Sequence, residues 1–269
     1  MRLRTLTGAL LLAAGAATSA GPVRADLAEV KTRGTLRVLG VLAAKTGDEF
    51  LNKSAGDSPG FDREILEGFT RLQKLTLEVT AIPTWDALVP ALLAGKGDII
   101  AGRVTITESR RKLIDFTSEV FPTRHVVFTR KPHRLVTTKE QLFEEKVGTV
   151  KGTSMAEVIA QAGVPPARVD DTVPTGTLPL ALKEGRITAA VLGVENAMAA
   201  QRRDPEIQLG MFLGAPGSLA YGVRKEDAEL KKALSEYIDN FRRTPAWNRL
   251  VVKYMGDQAP EILRRARTE

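Results

Sequence analysis

The chain has 269 residues, with 39 Lys and Arg against 32 Asp and Glu and a formal charge of +7. The basic residues are interspersed with acids and only 5% of the chain is aromatic, which excludes a nucleic-acid surface of clustered cations and stacking rings and hints instead at an anionic small ligand. Cysteine is absent, so there is no disulfide framework, thiolate metal site, cysteine nucleophile or lipid anchor on an N-terminal cysteine.

Arg2 and Arg4 precede an apolar run from 6 to 17, followed by Ala20 and Val23-Arg24-Ala25. A basic start, a short apolar stretch and a small-residue exit describe a secretory signal peptide, cleaved after Ala25 or after Ala20. The run falls short of the about 20 residues that span a bilayer, so the mature chain is expected to be a free protein in the periplasm.

Residues 35–41 are β-prone and follow the turn at Arg33-Gly34. Phe61, Ile65, Leu66, Phe69 and Leu72 recur at helical spacing, which predicts a helix over 61–74, and 75–82 alternates toward a second strand. Thr84 is a candidate cap for a helix whose face carries Trp85, Leu88, Val89, Leu92 and Leu93 and which ends at Gly95. Residues 97–102 form a buried-looking third strand, completing a pattern that predicts a parallel sheet covered on both faces.

Next comes Thr105-Ile106-Thr107-Glu108-Ser109-Arg110, where Thr107 is a candidate cap followed directly by Arg110, Arg111 and Lys112. Cations in a first helical turn oppose the helix dipole, and a bound anion removes the conflict. Backbone N–H groups, two threonine hydroxyls and a guanidinium fork make a cradle suited to a carboxylate.

A second unit begins near 146, with a strand at 147–150, a helix opening at 151–154 and running to about 161, helices at 178–183 and 195–203, and a strand at 188–192 between them. Two such units in series predict two lobes. Segments 124–130 and 219–224 are the expected crossings, residues 226–255 return as helices to the first lobe, and 259–269 reads as a loosely held, highly charged helix. His125 and His133 lack the spacing of a metal site or a triad and read as a hinge residue and a surface residue; HExxH, GxSxG and phosphate-loop motifs are missing.

Gly34-Thr35-Leu36-Arg37-Val38, Gly60-Phe61-Asp62, the stretch 85–92, Gly97-Asp98-Ile99-Ile100, the Thr105 to Arg110 motif, Ile114-Asp115-Phe116-Thr117, Val150-Lys151-Gly152-Thr153-Ser154 and the stretch 247–256 follow one another in an order and spacing that resembles the periplasmic solute-binding proteins of polar amino acid ABC transporters, the family 3 extracellular solute-binding proteins. The resemblance covers essentially the whole mature chain. It implies an α/β, two-lobed type II periplasmic-binding fold, each lobe a mostly parallel sheet flanked by helices, joined by two hinge crossings. The expected division is a signal peptide at 1–25, a first lobe from 26–125 with 222–269, and a second lobe at 126–221.

The resemblance further implies that Arg110 grips a ligand carboxylate, that Arg103 and Thr105 assist it, and that Lys151, Gly152, Thr153 and Ser154 open a helix whose N–H groups meet the same carboxylate. Trp85 and Phe50 are the expected aromatic lining, although Trp85 at its helical spacing reads equally as core. The aspartate that pairs with the ligand ammonium in the family is replaced by Gly193-Val194-Glu195. Either Glu195 takes that role in a slipped register, or Asp48 or Glu49 substitutes, or the solute has no ammonium group. The implied function is a receptor that carries a small carboxylate-bearing solute, an amino acid or a related compound, to an ABC permease in the inner membrane, as a monomer without metal or organic cofactor. The alternatives are a dehydratase acting on prephenate or arogenate with Glu195 as general acid, and a sensory ligand-binding module.

Overall fold

The computed structural model describes residues 26–41, 60–102 and 104–268. The expected signal peptide, Asp48, Glu49, Phe50 and Arg103 lie outside the described residues.

Helix α1 (Leu27–Arg33) is capped by Asp26, whose carboxylate accepts from Leu27 N, and ends on Gly34 in a left-handed conformation. Strand β1 (Thr35–Gly40), helix α2 (Phe61–Gln73) and strand β2 (Thr76–Ala81) match the elements expected from the sequence, and α2 buries Phe61, Ile65, Leu66 and Phe69, whereas Leu72, expected on the same face, is 67% exposed. Helix α3 (Leu88–Leu93) begins three residues later than the Thr84 cap would place it. Pro90 explains the delay. Started at residue 85, the helix would hold a ring without an N–H in its interior, whereas starting at Leu88 leaves Pro90 in the first turn, where N–H groups have no helical partner. The buried β3 (Ile99–Ile100), the single turn α4 (Glu108–Arg111) and β4 (Asp115–Phe116) follow.

Next come β5 (Phe121–Arg130), α5 (Lys139–Glu144), β6 (Val147–Gly148), α6 (Ser154–Ala162), β7 (Val169–Asp170), α7 (Leu178–Lys183), β8 (Ala189–Gly193), α8 (Val194–Arg203) and β9 (Ile207–Leu219), whose strands build the second sheet. The chain then returns through β10 (Gly222–Val223) and ends in α9 (Ala228–Arg242), α10 (Pro245–Met255) and α11 (Ala259–Thr268).

Among the described residues the strands form two five-stranded sheets, ordered β2-β1-β3-β10-β4 and β7-β6-β8-β5-β9. Only half of each sheet is parallel, so the expectation of mostly parallel sheets needs correction. β10 runs antiparallel to both β3 and β4, and β5 antiparallel to both β8 and β9. These antiparallel strands belong to the segments that pass between lobes, and a strand entering its sheet from the interlobe side runs against those that end there. β5 and β9 pair from Phe121↔Leu219 to Arg130↔Ile207, with register shifts between Thr123 and His125 and between Val126 and Phe128.

The largest core cluster joins α2 and the first sheet to α9 and α10, and extends to Val126, Val194, Ala197 and Met198 of the second lobe. The rings of Phe121, Trp247 and Tyr254 lie 5.6, 5.6 and 5.8 Å from Phe61, all tilted edge-on. Helix α11 inserts Ala259, Leu263 and Ala266 into this cluster and packs against β5 and α8. It is therefore a packed element that straddles the two sheets, contrary to the expectation of a loose helix serving the first lobe alone.

Candidate functional site

The site begins with a one-turn helix. Thr107 caps α4 by accepting from Arg110 N at 3.3 Å, so the guanidinium leaves the first turn as the sequence implies. Arg110 Nη1 donates to the carbonyl of Thr105 at 2.7 Å. Thr105 is itself held by the crossing strands, because Ile106 N donates to Ser218 O and Ala220 N to Val104 O, both at 3.0 Å. Burial lowers the Arg110 pKa from its usual value, and the Glu157 carboxylate on α6 of the other lobe partly offsets this. A cation desolvated in this way is favoured by an incoming anion.

From the second lobe the start of α6 faces Thr105. Thr153 is the cap: its hydroxyl accepts from Ala156 N at 3.4 Å and donates to Val150 O at 2.6 Å. Gly152 has φ +76°, and a Cβ there would stand 3.3 Å from both Asp86 N and Asp86 Cβ of the first lobe, so backbone conformation and close approach both call for glycine. Ser154 crosses the gap, with its Oγ donating to Thr105 Oγ1 at 3.1 Å. His125 Nε2 on β5 lies 2.9 Å from the same Ser154 Oγ. Burial pushes the His125 pKa down to about 4, so the imidazole is neutral at pH 7.

A second acid-bearing corner adjoins this one. Gly193, at the end of β8, is opposite His125 in the ladder, and residues paired in this way share a face of the sheet. A Cβ at Gly193 would fall 2.2 Å from Glu195 Oε1 and 2.7 Å from Oε2. The carboxylate of Glu195, 1% exposed, therefore folds back into the space that a side chain at 193 would take. Thr123 Oγ1 donates to its Oε2 at 2.6 Å and Asn196 Nδ2 to its Oε1 at 2.8 Å.

The structure thus brings Arg110, Thr105, Gly152, Thr153 and Ser154 together where the lobes meet, with Glu195 next to the His125 end of that line. Lys151 is exposed, and its ammonium helps hold the Asp86 carboxyl below its usual pKa, after the larger effects of the Thr84 hydroxyl and backbone N–H bonds. Trp85 lies in the turn before α3, half-buried against the cluster of Leu39, Leu88 and Leu92, beside the Asp86 that meets Gly152. Sequence reasoning missed His125, Thr123, Asp86 and Glu157 as members of this neighbourhood. His125 lies in a segment already marked as a crossing, but nothing local foretells its reach to Ser154. Among the described residues no group of three or more His, Cys, Asp or Glu is placed to hold a metal, and no helix is long and apolar enough to cross a membrane.

With this geometry in hand, the similarities to known proteins are specific. The family model for bacterial extracellular solute-binding proteins, family 3, matches residues 39–257. A probable histidine-binding protein of Campylobacter jejuni is 28% identical over 200 residues, covering 72% of this chain and 76% of the relative. The histidine-binding periplasmic protein of Escherichia coli K12 is 26% identical, covering 75% of this chain and 80% of its own. Among solved structures, a mutant of the protein ArgBP from T. maritima superposes with a TM-score of 0.75 at 26% identity, covering 86% of this chain and 99% of that one.

Proposed function

Because the chain belongs to the bacterial extracellular solute-binding proteins of family 3, we propose that it is a periplasmic receptor for an amino acid or a close carboxylate-bearing relative, delivered to an ABC permease. Its two-lobed α/β architecture is that of the type II periplasmic-binding fold. The observation that carries the reading is Arg110. A guanidinium desolvated where two lobes meet, with one amine on Thr105 O, offers its remaining donors to a carboxylate in a charge-assisted fork. Thr105, Gly152, Thr153 and Ser154 line the same place, with Trp85 and Lys151 at its margin and Arg103 and Phe50 assigned to it by resemblance.

In this reading Glu195 receives the ligand ammonium. Its carboxylate stands over Gly193, oriented by Thr123 and Asn196. Solute binding favours the closed arrangement of the lobes, and the closed form is the one presented to the permease. The relatives named for histidine make basic and polar amino acids the first candidates. Residues 1–25 serve as a cleaved signal peptide, and the lobes divide as 26–125 with 222–269 against 126–221, with α11 of the former packed across both sheets.

The test is a thermal-shift screen of the mature chain against all common amino acids, their des-amino counterparts and small dicarboxylates. A solute at a thousand times its Kd adds about 4 kcal/mol of stability, which for a chain of this size raises Tm by roughly 10 °C. A screen in which no carboxylate-bearing solute moves Tm would overturn the proposal.

A further inference from the structure

Three polar side chains from three different parts of the chain form a line between the lobes. His125 Nε2 is 2.9 Å from Ser154 Oγ, and Ser154 Oγ donates to Thr105 Oγ1 at 3.1 Å. The carbonyl of the same Thr105 receives Arg110 Nη1 at 2.7 Å. A serine hydroxyl has a single proton. With that proton on Thr105, the bond between His125 and Ser154 is made only if the imidazole supplies the hydrogen. The thioether of Met155, 3.7 Å from Ser154 Oγ, is a weak acceptor and no rival for that proton.

We propose that His125 is a positioning residue. Held as the Nε2–H tautomer, it directs the hydroxyls of Ser154 and Thr105 so that the Thr105 proton is offered beside the Arg110 guanidinium as a further donor to the bound carboxylate. The opposite direction, from Thr105 through Ser154 to a bare Nε2, turns the lone pairs of Thr105 toward the anion and repels it. The neutral imidazole thus decides whether a threonine hydroxyl two bonds away helps or opposes binding. Hydrogen bonds in series polarise one another, so the whole line gains when a carboxylate completes it. The same line ties the first lobe to the second. His125 therefore couples recognition of the carboxylate to closure without touching the solute, and this rests on the carboxylate-receptor reading above.

The direction of the line is measurable without any solute. In the full mature chain labelled with 15N-histidine, long-range 15N–1H spectra at pH 7 distinguish the two ring nitrogens, and a His133→Asn variant separates the two histidines. The expected result is a proton on Nε2 and a bare Nδ1 for His125. A proton on Nδ1 with Nε2 bare would overturn the proposal. The consequence for binding is read by calorimetry with L-arginine and L-histidine as probes. His125→Leu should weaken whichever probe binds by about 3- to 10-fold, the worth of one neutral hydrogen bond, while His125→Gln, which keeps an N–H donor near the Nε2 position, should recover most of the loss. Equal affinity in the parent, Leu and Gln forms would also overturn it. Should the parent bind neither probe, the solute that most raises Tm in the thermal-shift screen takes their place; a screen with no such solute counts against the function proposed above, and the spectrum still decides the direction of the line.

Discussion

Replacing Arg110 tests the center of this reading. In the parent, burial has already lowered the guanidinium pKa and Glu157 across the gap partly offsets this, so the solvation a carboxylate would replace is partly gone before it arrives. Truncating one partner of a buried, hydrogen-bonded charge pair costs about 2 to 5 kcal/mol, which at about 1.4 kcal/mol per decade is a loss of roughly 30- to 4000-fold in affinity for Arg110→Ala. Arg110→Lys keeps the charge but loses the planar fork and should fall between the parent and the alanine form. Folding should change little, since the side chain gives up one hydrogen bond to Thr105 O, worth about 1 kcal/mol, and is relieved of its desolvation. Calorimetric titration with the best solute from the thermal screen, alongside melting curves without solute, separates the two effects. An alanine variant that binds within threefold of the parent would refute the argument, as would one that fails to bind only because it is unfolded.

Glu195→Gln should cost amino acid binding roughly 30-fold or more while leaving the matching des-amino acids nearly unaffected, because only the ammonium loses its anionic partner. Product formed from prephenate by the parent chain and lost in this variant would instead make Glu195 a proton donor in catalysis. His125 makes stability depend on pH. With its pKa at about 4 in the folded chain against about 6.5 unfolded, the unfolded form takes up more protons between these values, so stability is intact above about pH 6.5 and falls toward pH 4. The loss is no more than roughly 3 kcal/mol, less what solvent reaching the half-buried ring screens. Carboxylates held low, such as Asp170 at about 2 through its bonds to Arg186 and Thr172, act in the more acidic range, so melting curves of the parent and His125→Gln between pH 6.5 and 5 isolate the histidine. In the first lobe, Arg224 is 1% exposed, donates to Leu92 O and Gly97 O, and approaches Asp227 Oδ2 at 2.7 Å in an ion pair short of ideal hydrogen-bond angles. Asp227→Ala strands that buried charge and should cost about 3 to 5 kcal/mol, lowering Tm by roughly 10 °C; a shift under 2 °C would show the pair to be dispensable.

Local chemistry made much of this protein legible from sequence. The apolar spacing of Phe61, Ile65, Leu66 and Phe69 marks α2, and the threonine at 107 places Arg110 in a first turn before any coordinates are seen. Thr153 likewise announces the start of α6. These features depend on residues within a turn or two of one another, where backbone sterics and capping act. The start of α3 was misread because a threonine cap and an apolar stripe outweighed Pro90, whose missing N–H decided the outcome.

Contacts between residues far apart in the chain were decided by the tertiary structure alone. The return of β10 between β3 and β4, and of β5 between β8 and β9, made the sheets mixed, since a crossing strand must enter from the other lobe. The meeting of Thr105, Ser154 and His125 depends on how the two lobes approach, and no periodicity encodes that distance. The family resemblance implied that Gly193-Val194-Glu195 replaces an aspartate; only the folded helix showed the acid turned back over the glycine. Residue type and short-range spacing determined which groups are available for binding a carboxylate, and packing across the interlobe gap determined which of them act together.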